Sequence, residues 1–580
     1  MTISHRVSHY FRKGRNYLSN KENWPYIGFF AIVFVVLLIN AFHESYPDEF
    51  DNILGGWYLL HGIPIYSGFF THHGPTAYFL SSLIEIFGGR SFVHYRVIFA
   101  VIILAYHFSI YHYLRSQFGR NRSFFYLIFI GVISLAGNYY WLHMLLADTL
   151  SCYFFAPVVA ILFLRSYYRL AVTQRDLIII SILVGLTCLS SLTFIYVAIT
   201  IYTYSLYLYL TSNKLRLFSR SLIRPLIIFA VPYVLFLLYL VVTGSLSEYF
   251  YQAFTFNQRY YIYNYPRPSG STTINPVRFA VVIADAFYNN FFTLLQQVGT
   301  LNIGFPMNIT MAVGSMSLII YLVTKRKFSL ALVFLICIVY ANSRSNPLVS
   351  KETDYQAAVY IMLSFFAISF LLTRLFNDED KEIVYGRRVV HTVLLILVGF
   401  YSLFALGFLG QKFVNRTYEK YMGTAALIYD RPELAPIINK IVAPNEPVWV
   451  GPFEFKELFY LNGKPATHYQ IFLPGMGQSP EIRPRFIQEF EVSKPKVIYF
   501  QKNFFILGRS PEMYGQFFID YLSEHYVTLQ NYKKDGVSYK SSVPVSERID
   551  LETRLYLRKE NADEEIRKLL DNQLIHQVGK

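Results

Sequence analysis

The stretch Glu44-Ser45-Tyr46-Pro47-Asp48-Glu49-Phe50-Asp51 directly follows the first strongly apolar segment, residues 27–42. It places four carboxylates beside a segment that is long and apolar enough to cross a membrane. No Lys or Arg occurs between Lys21 and Arg90, so these acids have no basic partner within their own loop. Acidic side chains next to a bilayer are costly unless they bind an ion, polarise a substrate or move a proton. The stretch therefore predicts either a functional site or a solvated acidic loop.

The composition is typical of a polytopic membrane protein. The 580 residues are 54% hydrophobic, 18% aromatic and only 15% charged, which is far from the average of a soluble domain. The formal net charge of +15 does not indicate a nucleic-acid partner, because Lys and Arg punctuate the hydrophobic segments. Cys152, Cys188 and Cys337 all fall inside apolar segments, where we interpret them as small core residues.

About eleven apolar segments are predicted to cross the membrane, at roughly 15 to 25 residues each. They are residues 27–42, 93–114, 124–142, 150–164, 177–194, 195–210, 226–242, 309–323, 330–340, 357–372 and 389–408. Every connection predicted to lie inside is basic, whereas the outside connections 138–148 and 187–193 contain no Lys or Arg, as the positive-inside rule expects. One alternative stays open near Phe194, where two segments could form one long bent helix.

The N-terminal residues 1–24 are basic, and no small-residue cleavage site closes the first span. This pattern predicts a retained anchor with a cytoplasmic N-terminus in the plasma (inner) membrane. An odd number of crossings then places the C-terminal region outside the cytoplasm. The acidic stretch at Asp48 is predicted to lie on that same side.

Two outside segments are long enough to carry a site. In the first, residues 50–60 and 76–87 are apolar but too short to span, which predicts helices lying in the membrane interface. The second, residues 244–305, is rich in Tyr and includes Arg259. It predicts either an aromatic belt or a surface for a sugar or a lipid phosphate.

The composition becomes polar and loop-rich after Gly410, which predicts two domains, a transmembrane module 1–410 and an extracytoplasmic domain 411–580. Helical spacing of apolar residues follows Pro432, and short apolar runs at 448–450 and 497–500 read as strands. The C-terminal region is therefore predicted to be a small α/β domain.

Several short motifs follow the first span and precede the second. They are Asp48-Glu49, Leu60-His61-Gly62-Ile63-Pro64-Ile65-Tyr66, His72-His73-Gly74-Pro75 and Phe87-Gly88-Gly89. Together they resemble the first outside loop of the GT-C membrane glycosyltransferases, most closely the protein O-mannosyltransferase-like and aminoarabinose-transferase-like branches. Arg96 at the head of the second span fits the same pattern. The chain departs from it at His72-His73, which replaces an acid-Lys pair of the aminoarabinose branch.

The resemblance implies an inverting glycosyltransferase that moves a sugar from a polyprenyl-phosphate carrier to a protein, lipid or glycan acceptor on the extracytoplasmic face. A hydroxyl is a poor nucleophile at neutral pH, so Asp48 or Glu49 is the candidate general base. The resemblance also implies a role for Asp148, for which a helix N-cap is the alternative. A departing phosphate requires cationic or hydrogen-bonding groups. The outside candidates are His72, His73, Arg96, Arg259, Arg344 and Lys351. Arg96 could instead pair with the acidic stretch.

No recognised metal signature is present, so the prediction is an enzyme without a metal or cofactor. His72 and His73 with the acidic pair nevertheless offer donors that suit a divalent cation, which remains an alternative. A lipid-linked polysaccharide polymerase or ligase is the closest rival function. A transporter or flippase is disfavoured, because the spans are nearly free of acids and show no internal repeat.

Overall fold

The computed structural model describes residues 21–41, 45–88, 90–137, 141–214, 220–261, 264, 305–341, 357–376, 432–546 and 549–578, with parts of 277–288 and 392–415. A helix lies at each predicted span up to 357–372, and the span 389–408 lies largely outside the described residues. The helices are α1 Trp24–Ala41, α2 Pro47–Leu60, α3 Thr76–Gly88, α4 Phe92–Phe118, α5 Arg120–Ala136, α6 Ala147–Tyr167, α7 Gln174–Ser190, α8 Ile195–Ser212, α9 Arg220–Val242, α10 Leu246–Phe250, a π-helix Tyr251–Tyr261, α11 Phe305–Thr324, α12 Phe328–Tyr340 and α13 Ala358–Phe376.

Within the described residues, five helical segments are long and apolar enough to cross a membrane, and four other apolar helices are shorter. The count of eleven crossings therefore stays a prediction. Ala147–Tyr167 is 89% buried over its most apolar window, whereas Ser221–Val242 is only 17% buried there. Helix α6 thus lies at the centre of the bundle, and α9 exposes its apolar side chains where lipid would contact them.

The segments on either side of Phe194 form two helices and not one bent helix. Ser191 is extended at the C-cap of α7, and Ser181 Oγ lies 3.2 Å from Tyr202 Oη across the pair. Asn213 at the far end of α8 donates from Nδ2 to Val172 O at 3.0 Å. These contacts are those of an antiparallel hairpin, so the two segments are separate helices.

The first loop, between α1 and α4, contains two short helices at the positions that its apolar stretches predict. Helix α2 has 14 residues and α3 has 13, so neither spans a bilayer. Gly55 and Gly56 allow the two helices to pack very closely. A Cβ on Gly55 would lie 2.3 Å from the Tyr78 ring, and one on Gly56 would lie 2.5 Å from Ser81 Cβ. The acidic stretch becomes the first turn of α2, with Pro47 at its N-terminus.

The C-terminal region is an α/β domain, as predicted. Its helices are α14 Ala435–Ile438, α15 Phe455–Tyr460, α16 Ile482–Ser493, α17 Pro511–Tyr514, α18 Gln516–His525 and α19 Ala562–Asp571. Its strands are β1 Pro447–Gly451, β2 Lys464–Pro465, β3 Val497–Phe500, β4 Tyr526–Thr528, β5 Lys533–Lys534, β6 Val537–Ser541, β7 Leu555–Arg558 and β8 Ile575–Val578. A mixed sheet has the order β2-β1-β3-β7-β4, and β5-β6-β8 form a second, antiparallel sheet. The two predicted strands are the parallel neighbours β1 and β3, with Val448 opposite Val497.

The C-terminal domain packs directly on the first outside loop. Tyr58 donates from its hydroxyl to Gln470 Oε1 at 2.5 Å, and Arg90 donates to the carbonyls of Phe459 and Leu461. The Arg90 guanidinium also lies 5.2 Å from the Trp57 ring centroid. The C-terminal domain and this loop therefore lie against each other at one end of the helical bundle.

Glu85 on α3 yields a pH-dependent prediction. It is buried, and among the described residues neither of its carboxylate oxygens has a hydrogen-bond partner. Burial raises its pKa from 4.5 to about 9, although the charge of Arg90 acts to lower it. Glu85 is then protonated in the folded protein at neutral pH, while the unfolded chain ionises it above pH 4.5. Wild type should therefore lose stability as the pH rises from 4.5 to about 9.

Glu85→Gln removes this loss, since an amide does not ionise. We expect the Tm of the variant to exceed that of wild type at pH 8 and to equal it near pH 4, in thermal unfolding of the detergent-purified protein. Glu524→Gln, at a residue with a 76% exposed side chain, is the matched control and should show no such pH dependence. Equal Tm values for Glu85→Gln and wild type at pH 8 would contradict the prediction.

Candidate active site

A cavity of about 610 Å³ lies where the acidic end of α2 meets the bundle and the C-terminal domain. Its size is in the range of small-molecule sites. Its ionisable lining residues include Asp48, Asp51, Asp148, His72 and His73. Four of these five are candidates from the sequence, so folding brings together residues that lie up to a hundred positions apart. Asp51 is the addition.

Asp48 and Asp148 both lie in the first turn of a helix, α2 and α6 respectively. The N-cap of α6 is Leu146, so the N-cap alternative for Asp148 is wrong. Asn52 holds the two helix starts together, because its Nδ2 donates to Asp48 O at 2.9 Å and to Leu145 O at 3.0 Å. Two helix N-termini, with their positive dipole ends, therefore meet at the cavity and favour negative charge there.

Asp51 forms a hydrogen-bonded cluster with Tyr78 and with residues 71–74, which we call the histidine loop. Its Oδ2 accepts from the Tyr78 hydroxyl at 2.6 Å and lies 3.1 Å from His73 Nδ1. Tyr78 Oη also lies 2.6 Å from Thr71 Oγ1. Asp51 could have been predicted from the sequence as a site residue, because residues three positions apart lie on the same face of a helix. Asp48 and Asp51 have this spacing.

Glu49 and Arg96 pair with each other away from the cavity. Arg96 Nε donates to Glu49 Oε1 at 2.9 Å and Nη2 to Oε2 at 2.5 Å, and the two side chains are 1% and 0% exposed. The pairing is the second of the two predicted roles of Arg96. Glu49 follows Asp48 by one helical position, which turns its side chain about 100° around the axis. This rotation is the reason that Glu49 does not reach the cavity as a base.

The structure describes three of the five other residues that were predicted to contact the phosphate. His72 and His73 line the cavity, and the His72 ring lies 4.7 Å from that of Tyr261. Arg259 lies on the π-helix, where it is exposed, and it is not one of the residues that line the cavity. Arg344 and Lys351 lie outside the described residues.

One wall of the cavity is apolar and belongs largely to α9 and α10. It contains Tyr233, Phe236, Leu237, Leu240, Leu246, Tyr249 and Phe250. Leu237 is 50% exposed and Phe250 54% exposed, although both line the cavity. The apolar wall is therefore continuous with the surface of α9 that faces lipid.

The C-terminal domain closes the cavity on another side. Phe453, Phe455, Ile471 and Leu473 all contribute side chains to its lining. No pattern in the sequence indicates this contribution, because the residues lie in short loops and helix ends of a separate domain. The cavity therefore belongs to both parts of the chain.

In the part of the chain that the structure describes, no group of three or more His, Cys, Asp or Glu side chains is placed to hold a metal ion. A cofactor-free site stays a prediction, as does the divalent-cation alternative.

No family model and no curated protein sequence matches the chain. Among solved structures, the chain is similar to ArnT from Cupriavidus metallidurans bound to undecaprenyl phosphate. The similarity covers 92% of this chain and 98% of that one, with 15% sequence identity and a TM-score of 0.46.

Proposed function

We propose that this protein is an integral-membrane glycosyltransferase that transfers a sugar from a polyprenyl-phosphate carrier to an acceptor hydroxyl on the extracytoplasmic face. One observation carries the proposal. A single cavity joins three carboxylates and two histidines to an apolar wall that continues onto the lipid-facing surface of α9. An amphiphilic donor needs both parts, a polar chamber for the sugar phosphate and an apolar path for the polyprenyl chain.

Asp48 is the proposed general base. It takes the proton of the acceptor hydroxyl as the new bond to the anomeric carbon forms and the bond from that carbon to the phosphate oxygen breaks. The polyprenyl phosphate then leaves, and a single displacement of this kind inverts the anomeric centre. Asp148, at the start of α6, faces the same volume and is the second carboxylate available to the acceptor.

Asp51 has a different role, because Oδ2 already interacts with Tyr78 and His73. As the acceptor of both hydrogen bonds, Asp51 would hold the proton on His73 Nδ1 and fix the orientation of the ring. His72 and His73 are then the groups of the described chain that face the leaving phosphate. Hydrogen bonds that form to its developing charge lower the barrier.

The direct test is conversion of a polyprenyl-phosphate sugar by the protein in lipid nanodiscs, with the products followed by mass spectrometry. We expect free polyprenyl phosphate and a glycosylated acceptor. The sugar is found beforehand from a deletion strain, which should accumulate one lipid-linked sugar and lack one surface glycan. Unchanged lipid-linked sugars and surface glycans in that strain would contradict the proposal. A ladder of products of increasing length would instead indicate a polymerase.

Gly74 tests how strictly the histidine loop must be placed. A Cβ at this position would lie 2.3 Å from Leu189 O and 2.5 Å from Ser190 O, so Gly74→Ala must displace the loop from the end of α7. A shift of about 1 Å in a catalytic group can cost roughly 10²-fold in rate, and we expect a loss of that order. The measurement is turnover of variants that elute from size exclusion like wild type.

Gly28→Ala is the control, because a Cβ there meets nothing within 4 Å. It should leave turnover unchanged. Wild-type turnover in Gly74→Ala would mean that the position of the histidine loop does not limit the reaction.

A further inference from the structure

The backbone that leads into His72-His73 is held by two parts of the chain that are remote in sequence. Phe70 N–H donates to His468 O of the C-terminal domain at 2.8 Å. The next amide, Thr71 N–H, donates to Gln252 Oε1 of the π-helix at 3.0 Å. Consecutive amides are thus fixed from different directions immediately before the cavity histidines.

The first of these contacts leads to Glu489 on α16. The Glu489 carboxylate accepts from Thr467 Oγ1 at 2.6 Å and from His468 N at 3.0 Å, and its Oε1 lies 2.6 Å from His468 Nδ1. Burial raises the pKa of Glu489, but the hydrogen bonds and charge of His468, with Thr467, hold it at about 2. An ionised Glu489 therefore fixes the turn whose carbonyl holds Phe70.

The second contact, between Thr71 and Gln252, is also connected to the Glu489 carboxylate through hydrogen bonds. Glu489 Oε1 accepts from Arg485 Nε at 3.1 Å, and Arg485 Nη1 donates to Glu248 Oε1 at 2.5 Å. Glu248 Oε2 accepts from Gln252 Nε2 at 3.0 Å. Gln252 is fully buried and also donates to Tyr66 O at 2.9 Å. Two separate routes therefore connect Glu489 to Phe70 and Thr71.

From Thr71 the contacts continue into the cavity. Thr71 Oγ1 accepts from His73 N at 3.1 Å and pairs with the Tyr78 hydroxyl, which donates to Asp51. A displacement of Phe70 and Thr71 would consequently move both His73 and its carboxylate partner.

We propose that Glu489 is a positioning residue, through which the C-terminal domain sets the geometry of the His73–Asp51 pair. This inference rests on the glycosyltransferase function proposed above. It makes the C-terminal domain part of the catalytic unit, although Glu489 itself does not line the cavity. The effect should appear in the chemical step, because the donor also binds through its sugar and its polyprenyl chain.

The test compares Glu489→Gln with Glu512→Gln in the full-length protein. Glu512 is a matched control on the same domain, since its side chain is 50% exposed and lies 3.7 Å from that of Lys502. We expect Glu489→Gln to lower kcat for transfer by roughly tenfold or more, with little change in KM for the lipid donor. Glu512→Gln should change neither. A wild-type kcat in Glu489→Gln overturns the proposal.

Hydrogen–deuterium exchange supplies a readout that does not depend on the reaction. Faster exchange should be found in the segment 66–75 of Glu489→Gln, and not in that segment of Glu512→Gln. Exchange as slow as in wild type overturns the proposed route even if the rate falls. If wild type transfers no sugar at all, the proposed function fails, while the exchange result still decides whether Glu489 positions the loop.

A second variant keeps the test decisive if Glu489→Gln does not fold. Arg485 has a 38% exposed side chain, and Arg485→Gln breaks the route through Glu248 while leaving the contacts of Glu489 with His468. We expect a smaller loss of kcat, roughly threefold, because only one of two routes is removed. Faster exchange in 66–75 should accompany it, and wild-type exchange there contradicts the proposal.

Discussion

Asp48→Asn is expected to lower the rate of sugar transfer by roughly 10²-fold or more. The amide keeps nearly the same shape, but it cannot accept the proton of the acceptor hydroxyl as the bond to the sugar forms. Binding of the lipid donor should largely survive, because an anionic phosphate gains nothing from a nearby carboxylate. The measurements are the transfer rate and the donor affinity of detergent-purified variants that elute like wild type.

Asp51→Asn is the informative comparison, because the same chemical change is made one helical turn away in the same cavity. Asp51 orients His73, so its loss should slow the departure of the phosphate. A large loss of rate with intact donor affinity in Asp51→Asn, together with near-normal turnover in Asp48→Asn, would reassign the base to Asp51. Near-normal turnover in both variants would contradict a catalytic role for this end of α2.

Arg96→Met is expected to destabilise the folded protein by about 3–5 kcal/mol, the usual result of removing one partner of a buried ion pair. Glu49 would remain buried with no opposing charge, since it is 0% exposed and both of its oxygens accept from Arg96. The loss should appear as a large fall in Tm and in the yield of detergent-purified protein.

The double variant Arg96→Met with Glu49→Met is the control for this prediction. Replacement of a whole buried pair by apolar side chains is often neutral, so the double variant should recover most of the stability. It should also retain turnover, because neither residue lines the cavity. Loss of donor affinity in a stably folded double variant would restore the role of Arg96 as a phosphate contact.

The sequence by itself determined where the chain is helical and apolar. The predicted spans, the two short helices α2 and α3, and the strands β1 and β3 depend on the length and apolar period of single segments. These properties are local, so they can be read from neighbouring residues. The acidic stretch was also recognisable, because its position after the first span needs no knowledge of the packing.

Only the tertiary structure decided what each acid does. Asp48 and Glu49 are adjacent in the chain, yet one faces the cavity and the other is neutralised by Arg96, 47 positions away. The contribution of the C-terminal domain was equally hidden, since Tyr58 contacts Gln470 across 412 positions. Helix phase and packing determine which residues become partners. The free energy of an ion pair or a hydrogen bond depends on the distance and the burial that result from this packing. Neither the distance nor the burial can be read from the composition of a single segment.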